Sequence, residues 1–275
     1  MADSYMLNTT DALLIFIAAF GAGIMNAIAG GGTFLTLPAL VLIGVPTKIA
    51  NATSSVALWP GNVASTIGYL PELRSQSGRG YFFAASALGG LVGALLLLVT
   101  EEATFAILIP WLMLIATVLF TAGPSLTRWF RRRTPHTPRG HRVLIGSIIA
   151  QFFIAVYGGF FGAGIGILML AALALAGMDD LHQMNGLKNG LATAIKGVAV
   201  LTFVLLDLLP TPAIFPVEGI NILLWPHLTV MVFGGILGGF AGVKLARILP
   251  TRVTRGIITF VGTVLTAWFF YQTYA

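Results

Sequence analysis

GAGIMNAIAGGGTFLTLPALVLIGVP, residues Gly21–Pro46, decides how this chain is read. The stretch is apolar enough to lie in lipid, yet Gly30, Gly31 and Gly32 interrupt it. Glycine permits backbone angles that a helix does not use, and it leaves peptide groups open to a ligand. Beyond the break, the run Thr33–Ile43 is too short to span a bilayer. At about 1.5 Å per residue it reaches roughly 17 Å, against a hydrocarbon core of about 30 Å. Irregular backbone at membrane depth persists only where protein or a wet cavity surrounds it. The stretch therefore predicts a helical hairpin that enters the bilayer and returns. Its tip presents the N-terminus of the second arm, a place suited to an anion.

Composition agrees with a membrane setting. Of 275 residues 57% are hydrophobic and 9% charged, and the mean hydropathy is +0.93. A soluble domain carries about 25% charged residues, so the chain reads as an all-α integral membrane protein. Its 33 Gly and 13 Pro suit broken transmembrane helices. The formal charge of +6 would fit nucleic acid, but the basic residues fall where topology signals belong, and nucleic acid is not an expected partner. There is no Cys, so no disulfide forms and the redox compartment is not legible. The opening MADSYMLNTTD has no basic region before the first apolar run, so the first segment is expected to be retained rather than cleaved.

Working outward, the first hairpin covers 12–43 and is followed by spans at 51–70, 81–99 and 104–122. Pro60-Gly61 is expected to bend the first of these, and Pro71–Gly80 reads as a polar loop. The segment RWFRRRTPHTPRGHR, Arg128–Arg142, contains six Arg and two His without apolar periodicity. It divides a first repeat, 1–127, from a second, 143–275. The second repeat begins with two short apolar runs split by GGFFGAG, a hairpin over 143–176. Spans at 183–206, 227–246 and 256–271 follow, with a Pro-rich loop, Asp207–Pro226, and a basic turn, Arg247–Arg255, between them.

Lys and Arg set the orientation. With the Arg128–Arg142 linker cytoplasmic, 12 of the 15 basic residues lie inside, Lys48 lies outside, and Lys188 and Lys196 lie within spans. The tally holds only if each glycine-broken stretch returns to its own side. The halves then run in opposite senses, giving ten hydrophobic segments as two inverted-topology repeats, each a re-entrant hairpin plus three spans, with both termini extracytoplasmic. Secondary transporters of this architecture bind substrate between the repeats. A weak internal echo accompanies it: GGGTFLTLPALVLIGVP with GAGIGILMLAALALAGM, and NATSSVAL with NGLKNGLA.

The pattern G-A-G-x-x-N-A-I-A-G-G-G-T-x-x-T-L-P-A-L at Gly21–Leu40, with G-V-P at 44–46 and A-N-A-T-S at 50–54, resembles the sulfite exporter TauE/SafE family. The likeness extends to Gly158–Gly166 and to M-N-G-L-K-N at Met184–Asn189. The second repeat departs by placing Ala163 between Gly162 and Gly164. The resemblance implies a multi-pass protein of the cell inner membrane that moves sulfite, sulfoacetate or related small organosulfur anions.

The candidate substrate-binding residues follow from the two tips and the segments after them. Asn26, Gly31, Gly32 and Thr33 form the first tip, and Gly162 and Gly164 the second. Amides there would face an anion, or the glycines would serve close helix packing. Asn51, Thr53 and Ser54 open one span, and Asn185, Lys188 and Asn189 open the other. Asn and hydroxyl groups donate to sulfite or sulfonate oxygens, and they also cap helices or bond neighbouring helices. A cation inside a span is a functional candidate by default. Lys188 has the rival reading of snorkelling to the interface. Lys196 lies eight residues further on, roughly on the same face. The four His show no metal-ligand spacing, and no metal or cofactor is expected. Trp59, Trp111 and Trp225 read as packing or interface anchors.

These residues lead to a non-enzymatic secondary transporter of small anions working by alternating access, in the direction of export. With the cytoplasm negative, an anion gains about 2.3 kcal/mol per charge per 100 mV on leaving. An anion channel of the same architecture is the first alternative. An intramembrane enzyme is the second, and the sequence offers it no nucleophile with a base. Expected partners are a small anion and the lipid bilayer, with a homodimer allowed.

Overall fold

The computed structural model describes residues 7–28, 31–74, 80–133, 141–178, 180–208, 222–246 and 251–274, and these are helical apart from short connections. The first hairpin is α1 (Thr9–Ile28) and α2 (Thr33–Leu42), followed by α3 (Thr47–Gly68), the short α4 (Leu70–Arg74), α5 (Gly80–Val99) and α6 (Glu102–Arg133). The second is α7 (His141–Phe160) and α8 (Ile165–Leu175), followed by α9 (Leu181–Leu208), α10 (Trp225–Ala246) and α11 (Thr251–Tyr274). Among the described residues five helices, α1, α5, α6, α7 and α9, contain stretches long and apolar enough to cross a membrane, whereas α2 and α8 are shorter apolar helices.

The short helices end for a local reason. Past α2, Gly44 takes φ +86°, its amide donates to Val41 and the Val45 amide donates to Leu40. Past α8, Gly177 takes φ +103°, with its amide on Ala174 and the Met178 amide on Leu173. Only glycine adopts this left-handed turn at little cost, and the paired bonds satisfy the last carbonyls of each helix.

Helix packing is paired between the halves. Helix α1 lies along α10, and α7 lies along α5; α10 also packs on α3, and α5 on α9. Helices α3 and α9 meet each other, as do α6 and α11. Glycines permit these approaches. Gly238 on α10 faces the Phe20 carbonyl of α1, and Gly93 on α5 faces the Val156 carbonyl of α7. Any Cβ there would collide with backbone.

Large apolar side chains cover the outside as well as the core, and several polar side chains are buried. Leu13, Ile17, Leu88, Phe233, Phe240 and Phe260 are exposed, while Asn51, Thr53, Ser54, Lys188 and Lys196 are buried. Water disfavours so much exposed apolar surface, and lipid accommodates it.

Some boundaries differ from the sequence reading. Helix α6 continues through Arg133 and α7 starts at His141, so the described ends of the Arg128–Arg142 linker are helical and 134–140 lies outside the described residues. Residues 71–74 of the Pro71–Gly80 loop belong to α4. Helix α9 runs to Leu208, α10 starts at Trp225 and α11 starts at Thr251. Hydropathy marks only the lipid-facing length of a helix, and Arg and Lys are good helix formers that prolong it into the interface. Helix α3 continues through Pro60. Gly30, Asp179, most of the Pro-rich loop and residues 247–250 lie outside the described residues.

Candidate functional site

A cavity opens where the two hairpin tips meet α3 and α9. It holds about 430 Å³ of empty space, part of it continuous with the outside. Asn26 and Gly31 come from the first tip, and Gly162, Ile165 and Gly166 from the second. Helix α3 contributes Asn62 and Ser65, and α9 contributes Lys188, Asn189 and Lys196. Met169 and Ala192 complete the lining, and no lining residue is acidic.

The walls are held by polar links between α3 and α9. Trp59 Nε1 donates to the Thr193 carbonyl at 3.1 Å. Thr66 Oγ1 donates to the Asn189 carbonyl at 3.1 Å, and Thr193 Oγ1 donates to the Asn62 carbonyl at 3.3 Å. Hydroxyls that reach across helices in this way fix their register in a medium without water.

The first tip is closed by its own side chain. Asn26 Oδ1 accepts from the amides of Gly31 at 3.1 Å and Gly32 at 2.8 Å, and Gly31 holds φ +131°. At the second tip Gly162 takes φ +85° and Gly164 φ +76°. A Cβ on Gly162 would lie 3.1 Å from Lys196 Nζ, so the ammonium rests against this glycine. Lys188 and Lys196 are 4% and 5% exposed. Two lysines beside a helix N-terminus give this wall of the cavity a basic character.

The structure thus gathers Asn26, Gly31, Gly162, Lys188 and Asn189 of the sequence candidates around one space. The others sit elsewhere. Asn51 Nδ2 donates to the Phe160 carbonyl at 2.9 Å, bonding α3 to the end of α7. Thr53 Oγ1 accepts from the Leu224 amide at 3.3 Å. Ser54 and Thr36 share a hydrogen bond between hydroxyls. Thr33 is buried, Gly164 backs onto Ala116 of α6, and Asn185 is half-buried away from the lining. Asn62, Ser65, Ile165 and Gly166 border the cavity without having been singled out. The signal for Asn62 was present: continuing the NATSSVAL/NGLKNGLA echo pairs Asn62 with Lys196.

Fold and cavity define a class: a helical membrane protein that encloses a cationic chamber between two broken hairpins. The sequence model of the family described as sulfite exporter TauE/SafE matches residues 15–269. The chain belongs to that family and is a membrane transporter. It is 28% identical over 262 residues to a "Probable membrane transporter protein" of Haemophilus influenzae, covering 94% of each chain. It is 27% identical to the "Probable membrane transporter protein YfcA" of Escherichia coli K12, over 95% of this chain and 90% of the relative. A third, "Probable membrane transporter protein ORF9" of Sinorhizobium sp, is 28% identical over 61% of this chain and 62% of its own length. No solved structure matches.

Proposed function

We propose that the chain exports small organosulfur anions, such as sulfite, sulfoacetate or related sulfonates, across the inner membrane by alternating access. The observation that carries this reading is a chamber lined by Lys188 and Lys196 and by no carboxylate. Lys196 has no hydrogen-bond or ion-pair partner among the described residues; burying such a charge is costly, and a transported anion supplies the opposite sign. The halves form a ten-segment inverted repeat, α1–α6 against α7–α11 with α4 as an interfacial turn. Support comes from the matched packing of α1 on α10 with α7 on α5, and from the matched glycine ends of α2 and α8. In this arrangement α3 and α9, which line the chamber from both sides, are the surfaces on which one repeat rocks against the other.

Membrane potential drives exit of the anion, worth about 2.3 kcal/mol per charge per 100 mV, so export needs no coupling ion. The test is flux of radiolabelled sulfite and sulfoacetate in proteoliposomes under an imposed potential. The reading predicts saturable flux that is accelerated by the potential and competed by other sulfonates. Absence of flux for every organosulfur anion would refute it, and single-channel currents in planar bilayers would replace the carrier with a channel.

A further inference from the structure

The two tips share a spacing but not a chemistry. Asn26 stands seven residues before the first residue of α2 (33 − 26), and Gly158 stands seven before the first residue of α8 (165 − 158). At the first tip the Asn26 oxygen takes the Gly31 and Gly32 amides, and the Phe34 and Leu35 amides reach Gly31 and Gly32 carbonyls at 2.9 Å. At the second, position 158 has no side chain. Among the described residues no close, well-aligned hydrogen bond is made by the amides of Ala163, Gly164, Ile165 or Gly166, and such bonding resumes with the Ile167 amide on Gly164 at 3.3 Å. These residues are all buried. Buried backbone donors are nearly always paired, so a run of open ones marks a place that something else fills.

Side chains beside this tip have the same need. Lys196 has no hydrogen-bond or ion-pair partner among the described residues, and its ammonium lies against Gly162. Asn189 is 7% exposed, and its Nδ2 has no partner. Both border the cavity together with Ile165 and Gly166. The Lys196 ammonium, the Asn189 amide nitrogen and these backbone amides are donors, which suits a ligand rich in acceptors and negative in charge.

We infer that the second tip alone is the anion seat, and that the first is permanently closed by Asn26 acting as a built-in substitute for an anion. The inference rests on the transport reading above and specifies its site. A sulfite or sulfonate head group places one oxygen against the amides of Ile165 and Gly166, which border the cavity. A second oxygen faces Lys196 Nζ and Asn189 Nδ2. The first tip holds its hairpin in shape and contacts no substrate oxygen through its amides.

Isothermal titration of sulfite and sulfoacetate into the purified full-length protein in detergent tests this, with size exclusion and thermal melting to establish that each variant is folded. The wild type binds one anion per chain. Lys196→Met and Asn189→Leu weaken binding roughly ten- to a hundredfold, the worth of a charge-assisted hydrogen bond. Should Lys196→Met fail to fold, Asn189→Leu decides. Asn26→Ala frees two amides, and it either holds affinity within about threefold, the low end of one neutral hydrogen bond, or adds a second, weaker site. Loss of binding in Asn26→Ala with unchanged binding in Lys196→Met and Asn189→Leu overturns the inference while leaving the transport reading intact. A wild type that binds neither anion overturns the transport reading and the inference with it.

Discussion

Lys48 and Glu102 cap each other's neighbours. The Glu102 carboxylate accepts from the Lys48 amide at 3.1 and 3.2 Å and from Thr47 Oγ1 at 2.6 Å, which closes the N-terminus of α3. Lys48 Nζ donates to the Leu98 and Thr100 carbonyls at 2.8 and 2.6 Å, which closes the C-terminus of α5. The basic residue that the charge tally left outside is therefore held by carbonyls at a helix end, where a cation is favoured. Glu102→Gln should lower stability by about 1 kcal/mol, the usual worth of a helix cap. Thermal melting in detergent reads this, and an unchanged melting point would mean that α3 does not depend on the cap.

The glycines facing carbonyls are packing requirements. Gly93→Ala sets a Cβ against the Val156 carbonyl, and Gly238→Ala sets one against Phe20. Each should destabilise by about 1–3 kcal/mol, the cost of overpacking. Gly146 has open space around its Cβ position and lies inside α7. Gly146→Ala should be neutral or raise stability by up to about 1 kcal/mol. Equal effects in all three would contradict the close α1–α10 and α5–α7 approaches.

Gly162 is constrained twice. Its φ is +85°, and a Cβ would lie 2.9 Å from the Gly158 carbonyl oxygen and 3.1 Å from Lys196 Nζ. Gly162→Ala should cost about 1–2 kcal/mol from the left-handed backbone alone and slow sulfite flux by displacing Lys196. Proteoliposome uptake at matched protein content measures the second effect. Wild-type flux in this variant would separate Lys196 from the transport step.

Because the chain has no Cys, single introduced cysteines report topology cleanly. The inverted repeat predicts that Thr9→Cys, Glu101→Cys and Tyr274→Cys react with an impermeant thiol reagent from outside, and Arg139→Cys only from inside. Labelling of Thr9→Cys and Tyr274→Cys from opposite faces would break the repeat.

Much of the hairpin was legible because glycine and length leave marks in the sequence. The interruption before Thr33, the short arm after it and the echo at Gly162 follow from backbone permissiveness and the thickness of a bilayer. Lys188 and Lys196 stood out because charge in an apolar span needs a reason. What the sequence did not disclose was the difference in hydrogen bonding between the tips. Asn26 is an Asn in an apolar run, and nothing in the neighbouring sequence shows that its oxygen turns back onto Gly31 and Gly32. Asn51, Thr53 and Ser54 looked equally suited to bind oxygen atoms. Asn51 Nδ2, Thr53 Oγ1 and Ser54 Oγ instead bond Phe160, Leu224 and Thr36, partners distant in sequence that no local pattern reveals. Ser65 was hidden for the converse reason, since its place on the wall depends on how α3 meets α9.

Anomalous diffraction from crystals soaked in selenite, the heavier analogue of sulfite, tests the central claim most directly. The account predicts one selenium peak inside the chamber, within hydrogen-bonding reach of Lys196 Nζ and the Gly166 amide. An empty chamber at saturating selenite, or a peak confined to the outer surface, would contradict it.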